Sequence, residues 1–234
     1  LDAVLAPVSY WAAGGVPYPH TLKLPGEQIE ALLVSLFDQF GEMGFKVIVG
    51  FTGHFGLEQT LVLKRAALTT MRRSPVTILP VTEYDMTAGD GGYKGDHAGI
   101  GETSLLWALR EDLIRLDYVP VDEPLDGVLG ADPRGKASQE YGRELLRQIS
   151  ERIATIARRL LDSTTAVERA RYIDALNAGV RVLHKTARQR AVLPKSEVPS
   201  IGTPAYLAYC HAIYTGDYES AKHHAERKLT DLTE

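Results

Sequence analysis

Phe45-Lys46-Val47-Ile48-Val49-Gly50-Phe51-Thr52-Gly53-His54-Phe55-Gly56-Leu57 is the stretch that decides the fold. Its first seven residues are apolar apart from Lys46 and carry three β-branched or valine-like side chains in a row, the mark of a strand covered on both faces. Thr52 to Gly56 forms a tight turn in which Gly53 lets a bulky ligand approach the backbone and Gly56 relaxes the entry to the next element. From Leu57 to Met71 the pattern is helical. A buried strand that passes through two glycines into a helix places His54 at the strand's carboxyl end.

The pattern continues on both sides of this stretch. Upstream, Ile29, Leu32, Leu33, Leu36 and Phe37 recur at helical spacing over Glu27 to Met43, and Gly44 suits the C-cap. Downstream, Val76 to Val81 reads as a further strand, and Val4 to Tyr10 reads as the first. Strands that alternate with helices imply a mostly parallel sheet in a three-layer α/β/α arrangement. In such sheets ligands bind beyond the carboxyl ends of the strands. Asp90 to Glu102 follows the Val76 to Val81 strand and should return to the same edge, and Gly101 to Leu109 starts another helix. Val119 to Gly135, rich in Pro, Gly and Asp, reads as a surface loop, and Lys136 to Leu161 as a strongly amphipathic helix. Beyond it the chain is helical and charged, with no strand signal. We therefore expect an α/β domain over 1–163 and a helical C-terminal appendage over 164–234.

Composition narrows the function classes. The chain has 234 residues, 44% hydrophobic and 24% charged, which is ordinary for a globular protein with a sizeable core. A formal net charge of −4 leaves no basic footprint for nucleic acid or anionic lipid. No apolar run is long enough to span a membrane, and no signal peptide is evident. The single cysteine, Cys210, gives no disulfide framework and suits a cytoplasmic location. The expected partner is a small-molecule substrate. Apolar positions on the C-terminal helices also fit a homo-oligomer.

Chemistry concentrates at Asp96-His97-Ala98-Gly99-Ile100-Gly101-Glu102-Thr103-Ser104. An imidazole and two carboxylates within seven residues suit Zn or Mn. The same residues also suit a helix start, with Asp96 or Ser104 capping and Glu102 in the first turn. His54 is the second candidate, and a lone histidine at a strand end is also a common structural residue. Trp11, Tyr18, His20 and Tyr93 are candidates for the wall of a substrate pocket, although ordinary aromatic packing explains Trp11 and Tyr18 equally well. His184, His211, His223 and His224 lie on the charged helices, and the adjacent His223 and His224 cannot face one way on a helix. Ala88 to Tyr93 has no nucleotide-binding loop pattern.

These residues resemble the creatininase (creatinine amidohydrolase) family. Thr52-Gly53-His54-Phe55-Gly56-Leu57 is similar to its Asn-Gly-His-Gly-Gly-Asn motif, and His97 to Ser104 is similar to its His-Ala/Gly-Gly-x-x-Glu-Thr-Ser motif. Tyr18-Pro19-His20-Thr21 resembles a Phe-Pro-Gly-Thr turn, and Gly130 to Gly142 a late glycine- and glutamate-bearing motif. The resemblance covers roughly residues 3 to 160; Phe55, Leu57 and His20 depart from it. It implies two divalent metal ions (Zn, Mn or Fe), with His54 and Glu102 as metal ligands, acting on a cyclic or linear amide. His97 would shuttle a proton to the leaving nitrogen and Asp96 would orient it. The other ligands it implies belong to an N-terminal Glu-x-His-Gly motif and a later Asp, and nothing before His20 offers Glu-x-His. The chain begins at Leu1 without Met and runs straight into an expected strand, so we expect that segment to be supplied from elsewhere. A carbohydrate-derived, inosose-like cyclic ketone is a rival substrate, and a metal-less scaffold is a rival function.

Overall fold

The computed structural model describes residues 3–15, 21–87, 93, 95–163, 165–193, 198 and 202–232. The elements run α1 (Gly26–Glu42), β1 (Val47–Thr52), α2 (Leu57–Met71), β2 (Thr77–Thr82), α3 (Glu83–Thr87), α4 (Ile100–Leu109), α5 (Gln139–Asp162), α6 (Ala166–Val192), α7 (Pro204–Thr215) and α8 (Tyr218–Asp231). Two short 3-10 turns, at 111–113 and 116–118, lie between α4 and α5. β1 and β2 pair in parallel from Val47↔Thr77 to Thr52↔Thr82, so both strands end level with one another. That shared end sets up the site.

The helix boundaries follow from capping chemistry. Gly44, at φ +93, turns the chain out of α1 in the left-handed conformation that glycine adopts without strain. Ser138 Oγ accepts from Tyr141 N at 3.1 Å to start α5, and Asp217 Oδ1 accepts from Ser220 N at 3.1 Å to start α8. Before α6, Thr165 Oγ1 accepts from Glu168 N at 3.2 Å and donates to that residue's Oε2 at 2.9 Å. The Thr-x-x-Glu spacing there is that of a capping box.

β2 is buried throughout, whereas β1 is not. On one face of β1, Phe37 of α1 and Leu63 of α2 lie so close to Gly50 that a Cβ there would meet each at 3.1 Å. On the other face Val49 remains 38% exposed and Phe51 48% exposed. The expectation of a strand covered on both faces is therefore corrected: an apolar run reports what a strand can bury, not whether a neighbour is present to bury it. The two edges differ as well. At β2, Tyr172 Oη of α6 donates to the Ile78 carbonyl at 2.8 Å, and Arg169 reaches the carbonyls of Met71, Ser74 and Val76. Helix α6 thus covers that side of the sheet and takes up backbone acceptors there. Among the described residues, β1 pairs with β2 alone.

Val4 to Tyr10 is not a strand. It lies outside any sheet, with Leu5 95% and Tyr10 89% exposed. Its apolar composition satisfied the strand pattern, but no neighbouring strand accepts its backbone. Burial begins at Ala13, whose N donates to Gln59 Oε1 of α2 at 2.8 Å.

One apolar cluster runs from Phe37 through α2 and β2 into α5, α6, α7 and α8. The C-terminal helices share it, through Tyr172, Leu183, Tyr206 and Ile213 among others. Inside this cluster Lys64 of α2 pairs with Asp85 of α3 at 2.7 Å, and Cys210 of α7 donates to the other Asp85 oxygen at 3.6 Å. Burial holds the Cys210 thiol well above its usual range, which keeps it an inert thiol.

Candidate active site at the strand ends

Three segments reach the carboxyl edge of the sheet. His54 follows β1, Glu83 follows β2, and Asp96, His97 and Glu102 stand at the start of α4. The electrostatics link them: the charge of His97 acts on His54, and the charges of Glu102 and Asp96 act on Glu83.

Asp96 is the organiser of the α4 entry. Its Oδ2 accepts from Gly101 N at 2.7 Å and its Oδ1 from Glu102 N at 2.9 Å, so both oxygens serve free amides of the first helical turn. The helix dipole favours a negative charge at that place. The turn between Asp96 and the helix is tight. Ala98 adopts φ 51, unusual for a residue with a Cβ. Its amide donates to Glu102 Oε2 at 2.9 Å. His97 is pinned on its backbone, donating to Leu129 O at 2.8 Å and accepting from Leu129 N at 2.9 Å. Its Nδ1 then stands 3.8 Å from Glu102 Oε2. Both Asp96 oxygens thus bond amides of the helix start that follows His97. Burial raises the Glu102 carboxyl above its ordinary range, while the Ala98 amide and His97 pull it back.

Two motifs of the sequence meet behind this edge. Ser104 is fully buried, and its Oγ accepts from Ser138 N at 3.0 Å, joining α4 to the start of α5. Gly142 of α5 crosses at this point, where a Cβ would fall 1.9 Å from the Ser104 carbonyl oxygen. Tyr93 is 5% exposed; its Oη accepts from Asp96 N at 3.3 Å, and its ring fills the space beside Gly101.

His54 is half-buried in the turn after β1, where Thr52 Oγ1 donates to its carbonyl at 3.2 Å. Its ring lies over Gly56, so near that a Cβ on Gly56 would meet Nε2 at 2.7 Å. That Nε2 is buried and has no hydrogen-bond partner. Burial, and then the charge of His97, lower its pKa, with the Ala13 backbone pulling the other way. A neutral imidazole with an open nitrogen is the form that binds a metal ion. The donor chemistry of His54 and Glu102 thus fits a divalent cation. The set is short, because no three His, Cys, Asp or Glu side chains converge on one point among the described residues.

Glu83 was not anticipated from the sequence. It is 3% exposed, with neither carboxyl oxygen hydrogen-bonded. Burial pushes its pKa up to about 9; its own backbone opposes this, and the charges of Glu102, Asp85 and Asp96 add to it. The available signal was an acid placed directly after a fully apolar strand, at the edge where ligands bind. Of the expected wall residues, Tyr93 joins the Asp96 turn and Trp11 stands 58% exposed. Tyr18 and His20 lie outside the described residues, as does the glycine-rich segment before Tyr93.

A parallel α/β sheet whose polar residues gather at the strand ends defines an α/β protein of the layout that binds ligands at the carboxyl edge. The family model Creatininase, described as creatinine amidohydrolase, matches residues 1–157, and the chain belongs to the creatininase family. Among solved structures, a creatininase with one tryptophan changed to phenylalanine is 22% identical at a TM-score of 0.50, covering 61% of this chain and 67% of that one. A structure of creatinine amidohydrolase (creatininase) is 21% identical at 0.47, covering 62% and 67%. A glutamate-to-glutamine mutant creatininase of Zn-Zn type is 20% identical at 0.46, covering 61% and 67%. The likeness to the first is one of fold. No curated protein matches this sequence. No helix among the described residues is long and apolar enough to cross a membrane.

Proposed function

We propose that the protein is a metal-dependent hydrolase that uses water to cleave the C–N bond of a cyclic or linear amide. The observation that carries this reading is the open, buried Nε2 of His54 at the end of β1 in a chain of the creatininase family. His54 and Glu102 would hold the metal ions (Zn, Mn or Fe). Metal ions bound there would acidify a water molecule and polarise the substrate carbonyl.

The remaining work falls to the chain's own residues. His97 carries the proton to the leaving nitrogen, acting as the site's general acid and base. Asp96 sets the position of His97 by holding the amides of Gly101 and Glu102, which closes the turn on which the ring is mounted. Tyr93 supports Asp96 by accepting from its amide, and in this reading Trp11, Tyr18 and His20 would contribute to substrate binding. Burial raises the pKa of Glu102, and a bound cation would favour its charged form.

Further donors complete the shell in this reading. They come from a segment carrying the Glu-x-His-Gly motif, added as a strand beside β1. The pairing of β1 with β2 alone among the described residues supports that placement. We place the protein in the cytoplasm, in keeping with a single, buried cysteine, and propose that it acts as a homo-oligomer.

Two variants and one analysis test the reading. His54→Ala should lose metal, whereas His97→Ala should keep metal and lose turnover by on the order of 10²-fold or more. Elemental analysis with intact mass, on protein from its natural source, should find about two equivalents of metal. Full metal content and undiminished turnover in both variants would sink the assignment.

A further inference from the structure

Glu83 lies outside every motif on which the family resemblance rests. It is the first residue of α3, immediately beyond the last residue of β2. The acids around it have settled partners: Asp96 takes two amides, and Asp85 takes Lys64 and the Thr82 amide. Glu83 takes nothing on either oxygen, although it is 3% exposed. Interior polar groups are paired as a rule, because each one left open is costly. An open carboxyl at the edge where ligands bind, under the charges of Glu102 and Asp96, has the placement of a group whose partner arrives with the ligand.

We propose that Glu83 is a substrate-recognition residue of this site, pairing through both carboxyl oxygens with an amide whose C=O and N–H lie on one edge, as in a cyclic amide. A carboxylic acid offers one O–H donor and one acceptor oxygen side by side. An amide closed into a small ring is held cis, so its N–H and C=O stand on the same edge and match that pair. An ordinary linear amide is trans, directs the two groups to opposite sides, and meets only half of it. Burial supports the uncharged form, with a pKa pushed up to about 9, and only that form has a proton to donate. The inference rests on the amide-hydrolase reading and narrows its substrate class.

The test is binding of hydantoin and of 1,3-dimethylhydantoin to the full chain near neutral pH, followed by ligand-observed NMR. Wild type, Glu83→Gln and Glu83→Met are compared. A carboxamide keeps one donor and one acceptor in the same places, so Glu83→Gln should hold hydantoin within about threefold of wild type. Glu83→Met, of similar length and without polar atoms, should lose about tenfold or more. Wild type should discriminate against the dimethyl derivative, which has no N–H, by a similar factor. Equal hydantoin affinity in Glu83→Met and wild type overturns the proposal, as does no preference over the dimethyl derivative. Loss in Glu83→Gln as great as in Glu83→Met means an acceptor-only carboxylate and overturns it too, as does absence of hydantoin binding by wild type. The hydrolase reading is judged separately, by metal content and by His54→Ala. Metal bound by wild type and lost in His54→Ala, with hydantoin indifferent to position 83, refutes the role of Glu83 alone.

Discussion

Replacing Gly142 with alanine would put a Cβ 1.9 Å from the carbonyl oxygen of Ser104 and 2.5 Å from its carbon. The obstacle is the backbone of α4, which cannot swing aside as a flexible side chain does. Real Cβ atoms essentially never approach closer than 3.0 Å, so α4 and α5 must separate by about 1 Å. Such overpacking costs about 1–3 kcal/mol. A gap of about 0.5–1 Å forfeits roughly a quarter to a half of each contact's attraction along the seam. The 3.0 Å bond from Ser138 N to Ser104 Oγ bridges the same seam, and its loss adds about 0.5–1.5 kcal/mol. We expect Gly142→Ala to lower stability by about 2–4 kcal/mol, read as a shift of the urea midpoint with an unchanged slope. Activity should fall further than stability explains. Glu102 sits two residues before Ser104 on the same helix, and a displacement of about 1 Å at a site can cost on the order of 10²-fold in rate. A variant within about 0.5 kcal/mol of wild type would refute the account of this crossing.

Other perturbations have equally definite directions. Lys64→Met should destabilise by about 3–5 kcal/mol, since it leaves the buried Asp85 carboxylate without its cation; a loss under about 1 kcal/mol in a denaturant titration would show that the pair is not needed. Glu83 has a folded pKa of about 9 against an ordinary 4.5, so over that window the folded state holds a proton that the unfolded state has released. Its contribution to stability is therefore complete at low pH and declines as pH rises towards 9, with a slope of at most about 1.4 kcal/mol per pH unit. Glu83→Gln should flatten that decline, and parallel stability curves for the two proteins from mildly acidic to alkaline pH would contradict it. His54 is shifted the other way: its lowered pKa means that the unfolded state binds the proton first, so its contribution is present above 6.5 and lost as the solution becomes more acidic. An imidazole NMR titration should place its midpoint below 6.5, and a midpoint at or above that value would disprove the burial of the ring.

Much of this architecture was legible residue by residue. Ile29, Leu33 and Phe37 fell on one stripe and formed α1, and Gly44 ended that helix. The run from Val47 ended at His54, and the acid-rich segment before Gly101 returned to the same edge. Two expectations failed for one reason. Val4 to Tyr10 and the second face of β1 both looked buried, because an apolar run records a capacity for burial while the neighbour that realises it lies elsewhere. Glu83 escaped notice because a glutamate after a strand reads as ordinary first-turn charge. Only its burial, and the absence of any partner for its oxygens, set it apart.

Sequence by itself determined what is local: which residues turn into helix or strand, where glycines permit a sharp turn, and which motifs bring imidazole and carboxylate close along the chain. Periodicity, capping and backbone freedom act over a few residues, so a few residues suffice to read them. Tertiary structure alone decided that Gly142 crosses Ser104, that Cys210 meets Asp85, and that Glu83 stands within the field of Glu102 and Asp96. Burial and electrostatic coupling depend on distance through space, and residues far apart in the chain acquire such distances only when the helices pack.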